Sequence, residues 1–400
     1  MIETEGQPVF RDSLQRLIQW VEGQEYTGWD AFDGLNSPLL NRVQNPYFRI
    51  AALQASKISP INFRPLLKIA KGIDLKGMAL FSQAYASLYR TTGEEQYKNK
   101  LDNALRFIKE RSLKGTYGYH CWSSHYYPYT GSDQSTLSVD VPDIIGTCQV
   151  IIALLDSYAI SDRADEKEMA FDAARFLTNE LFHDDDEFPF FGYSKNHGGD
   201  DRITLNASAQ AIEALSHVLV HNPDFDCRTS CEKAVQTLLT TQKPDGSWDY
   251  SINRDGSTKR VQLDFHQGFI IDGLLAYLPH SSATGPLKEC INRAAEYYRT
   301  VLFRANGSSY YRYPLPYPID IHNQAQGIIT FGKMRPFDKN YPEFTEKIGR
   351  WTITNMQDAS GFFYYQKWPG MLNKIPYMRW GQAWMMRAMS QFTEITSGDV

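Results

Sequence analysis

A three-part unit recurs in the second half of the chain at an almost constant spacing. Each copy has a turn with glycine and aromatic residues, then a polar stretch, then an apolar helix rich in small residues. The copies occupy residues 242–278, 306–331 and 360–389. Glutamines at the same place in each copy lie 57 and 58 residues apart, counted from Gln267 to Gln324 and from Gln324 to Gln382. A helical repeat of this length is typical of folds in which similar units pack side by side.

Two kinds of helix alternate along the chain. Amphipathic helices, with apolar residues at i, i+3 and i+4, are predicted at residues 42–57, 95–111, 164–182, 227–242, 284–303 and 342–357. Helices that are apolar nearly all round are predicted at residues 72–90, 142–158, 204–219, 264–278, 321–333 and 378–392. This alternation predicts an all-α fold, an (α/α)6 toroid of six outer and six inner helices. We expect one domain over residues 1–400, with residues 1–41, including a helix at 9–23, packed on the ring.

The connections from outer to inner helices share a pattern of aromatic residues with a period of two. They occupy residues 115–122, 187–193, 246–250, 308–313 and 361–365. Such stretches predict short β-hairpins. Because consecutive helices are antiparallel, these connections are expected to meet at one rim, beside the first residues of the inner helices. Polar side chains at that rim should therefore surround one central cleft.

The charge and composition exclude several kinds of function. The chain has a net charge of −5 and no block of basic residues, so we expect no nucleic-acid partner. The first residues lack the pattern of a secretory signal, and we expect no membrane span because no run of about 18 apolar residues is evident. The five cysteines are scattered, which favours reduced thiols, a cytoplasmic protein and no metal or other cofactor.

An Asp-x-His sequence occurs at equivalent places in two successive repeats, at the start of the fourth and fifth inner helices. Asp264 and His266 form the first copy, and Asp320 and His322 form the second. With Arg379, near the start of the last inner helix, they supply acid, imidazole and guanidinium groups that an apolar ring does not need. We predict that these five residues are catalytic. The alternative is that the aspartates only cap their helices and that the histidines reflect repeat ancestry.

Other polar and aromatic residues near the same rim are predicted to bind a ligand. Aromatic rings can stack on the apolar faces of sugars, and helix N-termini favour anionic groups. The predicted substrate-binding residues are Trp122, His120, Asn206, Tyr313, Trp380, Asp143 and Arg202, with Asp200 and Asp201 beside the last of these. The alternative for the aromatic residues is packing within the rim.

One turn carries a motif known from other toroids. Gln242, Gly246 and Trp248 match the Q-x3-G-x-W repeat, and this stretch resembles that of triterpene cyclases and their relatives. The resemblance implies a toroid in which glutamine and tryptophan have a structural role. The D-x-D-D sequence that cyclase chemistry requires is missing, so terpenoid or prenyl processing is the least favoured function.

A second resemblance extends over more of the chain. The stretches at 28–38, 61–85, 118–122 and 313–331 look like those of VpsJ-type proteins from exopolysaccharide gene clusters, which occur with glycosyltransferases. The chain is also distantly similar to glycan-active toroids of the six-hairpin glycosidase-like kind, including unsaturated glucuronyl hydrolases, uronate epimerases and polysaccharide lyases. These resemblances imply an oligo- or polysaccharide ligand and partners from a glycosyltransferase pathway.

Three functions follow as expectations. The first is an enzyme acting on a glycan that contains uronic acid. Hydrolysis would use Asp264 and Asp320 as the two carboxylates, whereas a lyase or C5-epimerase would use His266 or His322, a rim tyrosine such as Tyr313, and Arg379. The second is a non-catalytic glycan-binding or assembly protein of exopolysaccharide biosynthesis. Terpenoid processing is the third, and the sequence does not choose among the enzyme reactions.

Overall fold

The computed structural model describes residues 7–43, 45–127, 129–130, 136–195 and 202–397. Its α-helices in chain order are α1 Gln7–Gly23, α2 Pro46–Ile58, α3 Leu75–Thr92, α4 Glu95–Lys109, α5 Lys114–Tyr117, α6 Ile144–Ser161, α7 Ala164–Phe176, α8 Leu205–His221, α9 Arg228–Thr241, α10 His266–Tyr277, α11 Thr284–Val301, α12 Ile321–Lys333, α13 Tyr341–Met356 and α14 Trp384–Ser397. Leu177–Leu181 and Met378–Ala383 are π-helical, and the second of these leads into α14.

Six helices form a closed inner ring, which confirms the predicted toroid. In order around the ring they are α3, α6, α8, α10, α12 and α14, and α14 packs against α3 to close it. Small residues allow the close approach of neighbours. A Cβ atom on Gly273 of α10 would lie 2.2 Å from the carbonyl oxygen of Ala209 in α8, so the two backbones can meet only at a glycine. Between α3 and α6, Gln83 donates from Nε2 to the carbonyl oxygen of Gln149 (3.0 Å).

The first outer helix is α1. After outer helix α9, Gln242 donates from Nε2 to the carbonyl oxygen of Cys290 in the next outer helix, α11 (2.9 Å). After α13, Gln357 donates in the same way to the carbonyl oxygen of Ser13 in α1 (2.9 Å). Helix α1 therefore occupies the outer position beside α13, and the outer layer consists of α1, α4, α7, α9, α11 and α13.

The turns that make these contacts depend on glycine. Gly246 and Gly361 have φ angles of +93° and +110°, which L-residues with a side chain rarely adopt. A Cβ atom at these positions would lie 2.5 Å from the carbonyl oxygen of Arg293 in α11 and 2.2 Å from that of Arg16 in α1. The two glycines thus let each turn lie directly against the next outer helix.

The prediction that residues 42–57 form the first outer helix is wrong. Helix α2 covers most of this segment, but half of its described side chains are exposed and it has no place in either ring. Leu53 is buried, whereas Tyr47 and Ile58 are 71% and 59% exposed. The buried side of α2 lies over the central cleft instead.

Short antiparallel strands lie along the rim. They are β1 Tyr129–Thr130, β2 Thr136–Leu137, β3 Phe182–His183, β4 Phe190–Phe191, β5 Ile203–Thr204, β6 Ser251–Ile252, β7 Thr258–Arg260, β8 Ile319–Asp320, β9 Gln366–Trp368 and β10 Met371–Asn373. The sheets have the orders β1-β2, β3-β4, β5-β6-β7 and β8-β9-β10. Hairpins were expected within the aromatic stretches, but several strands begin just after them, as β6 follows 246–250 and β9 follows 361–365.

The repeated glutamines hold the rim to the inner helices. The Oε1 atoms of Gln267, Gln324 and Gln382 accept hydrogen bonds of 2.8–2.9 Å from the backbone N–H groups of Trp248, Ser309 and Phe363. Their Nε2 atoms donate back to carbonyl oxygens of the same turns, in Trp248, Gly307 and Phe363. The glutamine repeat is therefore structural, because each side chain satisfies buried backbone groups that no strand or helix pairs.

Helix α6 is apolar enough to be mistaken for a membrane span. Among the described residues, it is the one helix whose length and hydropathy meet the criteria for crossing a membrane, so the expectation that no apolar run of this length exists is corrected. In the fold α6 lies between α3 and α8, and 72% of it is buried. Packing in the inner ring is sufficient to explain its composition.

Candidate functional site

One polar cavity of about 260 Å³ opens at the N-terminal ends of the inner helices. Its walls come from α3, α6, α8, α10, α12 and the π-helical turn before α14, and α2 with the rim segments forms its mouth. The residues that line the cavity include Phe32, Leu53, Lys57, Lys76, Asp143, Asn206, Tyr250, Arg260, Gln262, Asp264, Phe265, His266, Tyr311, Arg312, Asp320, His322, Arg379 and Trp380. The four side chains of the Asp-x-His repeats are all present, so the structure brings them to one cavity.

Asp264 and His266 form a hydrogen-bonded pair. The Nδ1 atom of His266 lies 2.6 Å from Oδ1 of Asp264, which also accepts the backbone N–H of His266 (3.1 Å). Burial raises the pKa of Asp264, but His266 and Arg312 outweigh it and leave the pKa below its usual value. Because Asp264 is then ionised, Nδ1 of His266 is the nitrogen that donates to it, and Nε2 is the ring nitrogen left for a ligand. A carboxylate that orients imidazole in this way prepares it to act as a base.

His322 is a buried imidazole without a hydrogen-bond partner. It is 1% exposed, and neither ring nitrogen has a partner in the part of the chain that the structure describes. Its ring stacks on Phe265 at 4.2 Å and lies 4.8 Å from Trp384. Burial lowers the pKa of His322 well below its usual value, and the cationic Lys76 and Arg379 lower it further. The ring is therefore neutral at pH 7, with both nitrogens available to a ligand in the cavity.

The two imidazoles face each other across Phe265. The ring of Phe265 stacks on His266 at 4.1 Å as well as on His322 at 4.2 Å. The imidazole centres are therefore no more than the sum of these distances, 8.3 Å, apart. Phe265 therefore connects two imidazoles in the wall of one cavity.

Asp320 combines helix capping with support of the cavity wall. Its Oδ1 accepts the backbone N–H of His322 (3.0 Å) and the indole N–H of Trp380 (2.9 Å), and its Oδ2 accepts from Gln366 (2.8 Å). Burial raises the pKa of Asp320, and these donors together with Lys57 only partly oppose the increase. The capping alternative is correct for the geometry of Asp320, although its carboxyl group also lines the cavity.

Arg379 also lines the cavity, but its charge is balanced within the protein. Its Nη2 donates to Oδ1 of Asp30 (2.6 Å), and its Nε lies 3.4 Å from Oδ2 of Asp74. All three side chains are buried. The expectation that Arg379 binds a carboxylate of the substrate is not supported, because two carboxylates of the chain already occupy it.

The structure divides the predicted substrate-binding residues into two groups. Asn206, Asp143 and Trp380 line the cavity, and the buried Oδ1 of Asn206 has no partner in the described residues. Four other predicted residues lie outside its lining, namely Trp122, His120, Tyr313 and Arg202. Asp200 and Asp201 lie outside the described residues.

The reasons for these corrections are local. Trp122 is fully buried and donates from Nε1 to the carbonyl oxygen of Ile108 (2.9 Å), just as Trp248 donates to that of Leu238 (2.8 Å). Both tryptophans close the rim onto the preceding outer helix. His120 stacks on Trp122, and its Nδ1 lies 2.7 Å from Oγ of Ser112.

The other two positions also lie outside the cavity lining. Tyr313 is 43% exposed and lines a groove beside Tyr297 on the outer surface. Arg202 lies near Tyr250, where its charge opposes the increase that burial causes in the pKa of that tyrosine.

Sequence reasoning missed three cations in the cavity wall, Lys57, Arg260 and Arg312. Lys57 stands in α2, whose pattern resembles that of an outer helix. Arg260 ends β7, and Arg312 lies between α11 and β8. Two of these residues follow rim turns, where a basic side chain beside an aromatic one was a usable signal, as in Tyr311-Arg312.

Lys76 predicts how stability depends on pH. Burial, followed by the charge of Arg379, lowers its pKa from 10.5 to about 7. Between these values the unfolded chain binds a proton that the folded chain does not, so the free energy of unfolding should rise with pH. One such group contributes at most about 1.4 kcal/mol per pH unit.

We expect Lys76→Met to have a higher free energy of unfolding than the parent near pH 7. Its free energy of unfolding should also rise less steeply with pH than that of the parent. Urea unfolding at several pH values measures it. The exposed Lys71, changed to Met, is the control and should keep the slope; equal slopes for all three proteins would contradict the prediction.

Fold and site together define this protein as an (α/α)6 toroid with a polar cavity at one rim. It is similar to cellobiose 2-epimerase from Bacillus thermoamylovorans, with 14% identity, 82% of this chain and 88% of that chain covered, and a TM-score of 0.66. It is also similar to the unsaturated glucuronyl hydrolase of a Bacillus species (13%, 96%, 96%, 0.62) and to a GH76 α-mannanase from Bacteroides thetaiotaomicron (14%, 81%, 87%, 0.62).

At these identities the likeness establishes the fold. No family model and no curated protein sequence matches the chain. The resemblance to VpsJ-type proteins stays a prediction.

Proposed function

We propose that this protein is a carbohydrate-active enzyme that moves a proton at one carbon of a sugar, as an epimerase or isomerase does. The observation that carries the proposal is the pair of imidazoles stacked on Phe265, one of them oriented by Asp264. Nε2 of His266 would remove a proton from a carbon next to a carbonyl or carboxyl group, and the electrons of the C–H bond would pass into an enolate. The imidazolium formed on His266 would return this proton to the neighbouring carbon, while the neutral His322 would donate a hydrogen bond to the enolate oxygen.

The carboxylates of the site favour this chemistry over hydrolysis. Hydrolysis of a glycosidic bond needs two carboxyl groups, one that donates a proton and one that activates water or attacks carbon. Asp264 is engaged by Gln262 and His266, and Asp320 is engaged by Gln366, Trp380 and the first turn of α12. Asp143, the third carboxylate of the cavity, is held by Ser124 and the first turn of α6. Every oxygen of the three carboxylates thus accepts at least one hydrogen bond from the protein, which favours a positioning role over direct action on the substrate.

The fold neighbours support the same choice. Several of these proteins are named as sugar epimerases or isomerases, including two cellobiose 2-epimerases and a D-mannose isomerase. Hydrolases share the fold too, so this support concerns carbohydrate chemistry in general. Terpenoid processing is not favoured, because the cavity is lined by histidine, aspartate, lysine and arginine.

Deuterium exchange tests the proposal directly. The protein would be incubated in D2O with cellobiose, mannose, glucuronate and an unsaturated glucuronyl disaccharide, and the sugars would be followed by NMR. Proton transfer at carbon introduces deuterium at the reacting position, whereas hydrolysis leaves the C–H bonds unchanged. Release of a monosaccharide without deuterium would establish the hydrolase instead. Binding with neither outcome would support the non-catalytic glycan-binding alternative.

The biological setting is a further part of the proposal. The resemblance to exopolysaccharide proteins motivates a role in polysaccharide biosynthesis, with glycosyltransferase-pathway partners. Uronic acid in the substrate belongs to the same expectation, and the cations of the cavity give it a structural basis.

A further inference from the structure

Three cations from three different segments meet on one side of the cavity. Lys57 comes from the last turn of α2, Arg260 from the end of β7, and Arg312 from the segment between α11 and β8. Burial lowers the pKa of Lys57 to about 8, and the charges of Arg312 and Arg260 contribute to the decrease. Asp320 and Asp264 oppose this decrease without cancelling it. The three cations are therefore close enough to repel one another, and a bound anion would reduce that repulsion.

Each of these cations retains hydrogen-bonding capacity. Lys57 is 8% exposed, and its ammonium has no hydrogen-bond acceptor in the described part of the chain, lying instead over the ring of Phe32 at 4.5 Å. Nε of Arg312 is buried without a hydrogen bond among the same residues, 3.5 Å from Oδ2 of Asp264. Arg260 makes one bond, from Nη2 to Oε1 of Gln262 (2.6 Å).

Aromatic rings hold the two arginines in position. The guanidinium of Arg260 lies 4.8 Å from the ring centre of Tyr250, and that of Arg312 lies 5.3 Å from that of Tyr311. Stacking of this kind fixes the plane of a guanidinium and leaves its edge open for an oxyanion.

The carboxylates of the cavity satisfy these donors only in part, through the 3.5 Å ion pair between Nε of Arg312 and Oδ2 of Asp264. Asp264 accepts from Gln262 and His266, and Asp320 accepts from Gln366 and Trp380. Asp143 accepts from Ser124 and from the first turn of α6. The wall therefore combines occupied acceptors with unoccupied cationic donors, which is what a ligand with negatively charged oxygens requires.

We propose that Lys57, Arg260 and Arg312 bind an anionic group of the substrate, a carboxylate or a phosphate, beside the histidine pair. The substrate class is thus an acidic sugar, and this inference rests on the proposed function for the reaction itself. Gln262 connects the two parts of the site, since it accepts from Arg260 and donates from Nε2 to Oδ2 of Asp264 (2.7 Å). A carboxylate held there would be next to the carbon from which His266 removes a proton, and the cations would stabilise the enolate.

The group would also bring α2 into the site. Helix α2 belongs to neither ring, and Lys57 is its one cationic contribution to the cavity. An anion bound between Lys57 and the two arginines would join this covering helix to the rim.

Calorimetric titration with three probes tests the proposal: glucuronate, a glucose phosphate ester and glucose. We expect at least one of the acidic probes to bind about 10- to 100-fold more tightly than glucose, the effect of one or two charge-assisted hydrogen bonds. The difference should diminish as salt is added. The relative affinities of the two acidic probes identify carboxylate or phosphate as the natural group.

Variants locate the effect. Arg260→Gln combined with Arg312→Gln should reduce the preference for the acidic probe about 10-fold or more and leave glucose binding unchanged. Lys57→Met, in a helix outside the rings, provides a second variant if the double one does not fold. Arg299→Gln is the matched control, because this exposed arginine on α11 pairs with Glu296 away from the cavity.

Equal affinity for all three probes, or an unchanged preference in the folded variants, would overturn the proposal. The proposed reaction is judged separately, by deuterium exchange. Preference for an acidic probe without exchange would support the cation site and contradict the epimerase or isomerase. Deuterium exchange with glucose-type sugars, at a rate that none of the variants alters, would support the epimerase or isomerase and contradict the cation site.

Discussion

Asp264→Asn and His266→Gln are each expected to reduce turnover at least about 100-fold without unfolding the protein. Asparagine can still accept the backbone N–H of His266, so the first turn of α10 keeps its cap. Its neutral amide, however, no longer stabilises a protonated imidazole and no longer selects the tautomer with the proton on Nδ1. Glutamine at 266 removes the base altogether. The rate of deuterium incorporation into the best sugar measures the effect.

His120→Gln is the matched control for these variants. Its imidazole is also partly buried and hydrogen-bonded, to Ser112, but it lies outside the cavity. We expect full turnover from this variant, and thermal unfolding of all three should be close to that of the parent. Full turnover in Asp264→Asn and His266→Gln would mean that the pair only caps α10, and the proposed reaction would then be wrong.

Trp248→Ala is expected to lower the free energy of unfolding by about 3–5 kcal/mol. The indole is fully buried, and its N–H is bonded to the carbonyl oxygen of Leu238 at the end of α9. Alanine would leave a cavity between two helices and would remove the donor for that carbonyl. Gln267 binds the backbone N–H and carbonyl of residue 248, and alanine keeps both groups, so the loss comes from the indole itself.

Urea unfolding followed by circular dichroism measures this loss of stability. Trp351→Ala is the control, since this tryptophan of α13 is only partly buried and lines an outer groove. We expect its effect to be clearly smaller. An unchanged free energy of unfolding for Trp248→Ala, together with weaker sugar binding, would contradict the structural role. Trp248 would then be a ligand-binding residue.

The ring was predictable because its pattern is local and repeated. An inner helix touches neighbours on both sides, so its sequence is apolar all round, and each predicted inner segment matches an observed one to within a few residues, as 321–333 does for α12. The spacing of Gln267, Gln324 and Gln382 also reflects one physical task, the bonding of each rim turn to its helix.

The site was predictable only where it depends on that same repeat. Asp264 and Asp320 begin inner helices, and the ring brings such positions to one cavity. Trp122 and Tyr313 stand in rim turns, where one residue more or less decides between the cavity, the core and the surface. Lys57, Arg260 and Arg312 lie more than fifty residues apart from one another in the sequence. No local sequence pattern therefore predicts that they line the same cavity.

The sequence by itself determined the number of helices in the ring and the face of the ring that carries the chemistry. Only the tertiary structure decided which of two early amphipathic helices completes the outer layer. Helix α1 buries an entire apolar stripe, Phe10, Leu14, Leu17, Ile18 and Val21, whereas α2 buries one leucine among its hydrophobic residues. Helix α1 occupies the position between α13 and α4 because packing its longer apolar stripe there removes more apolar surface from water. Helix α2 covers the cleft instead.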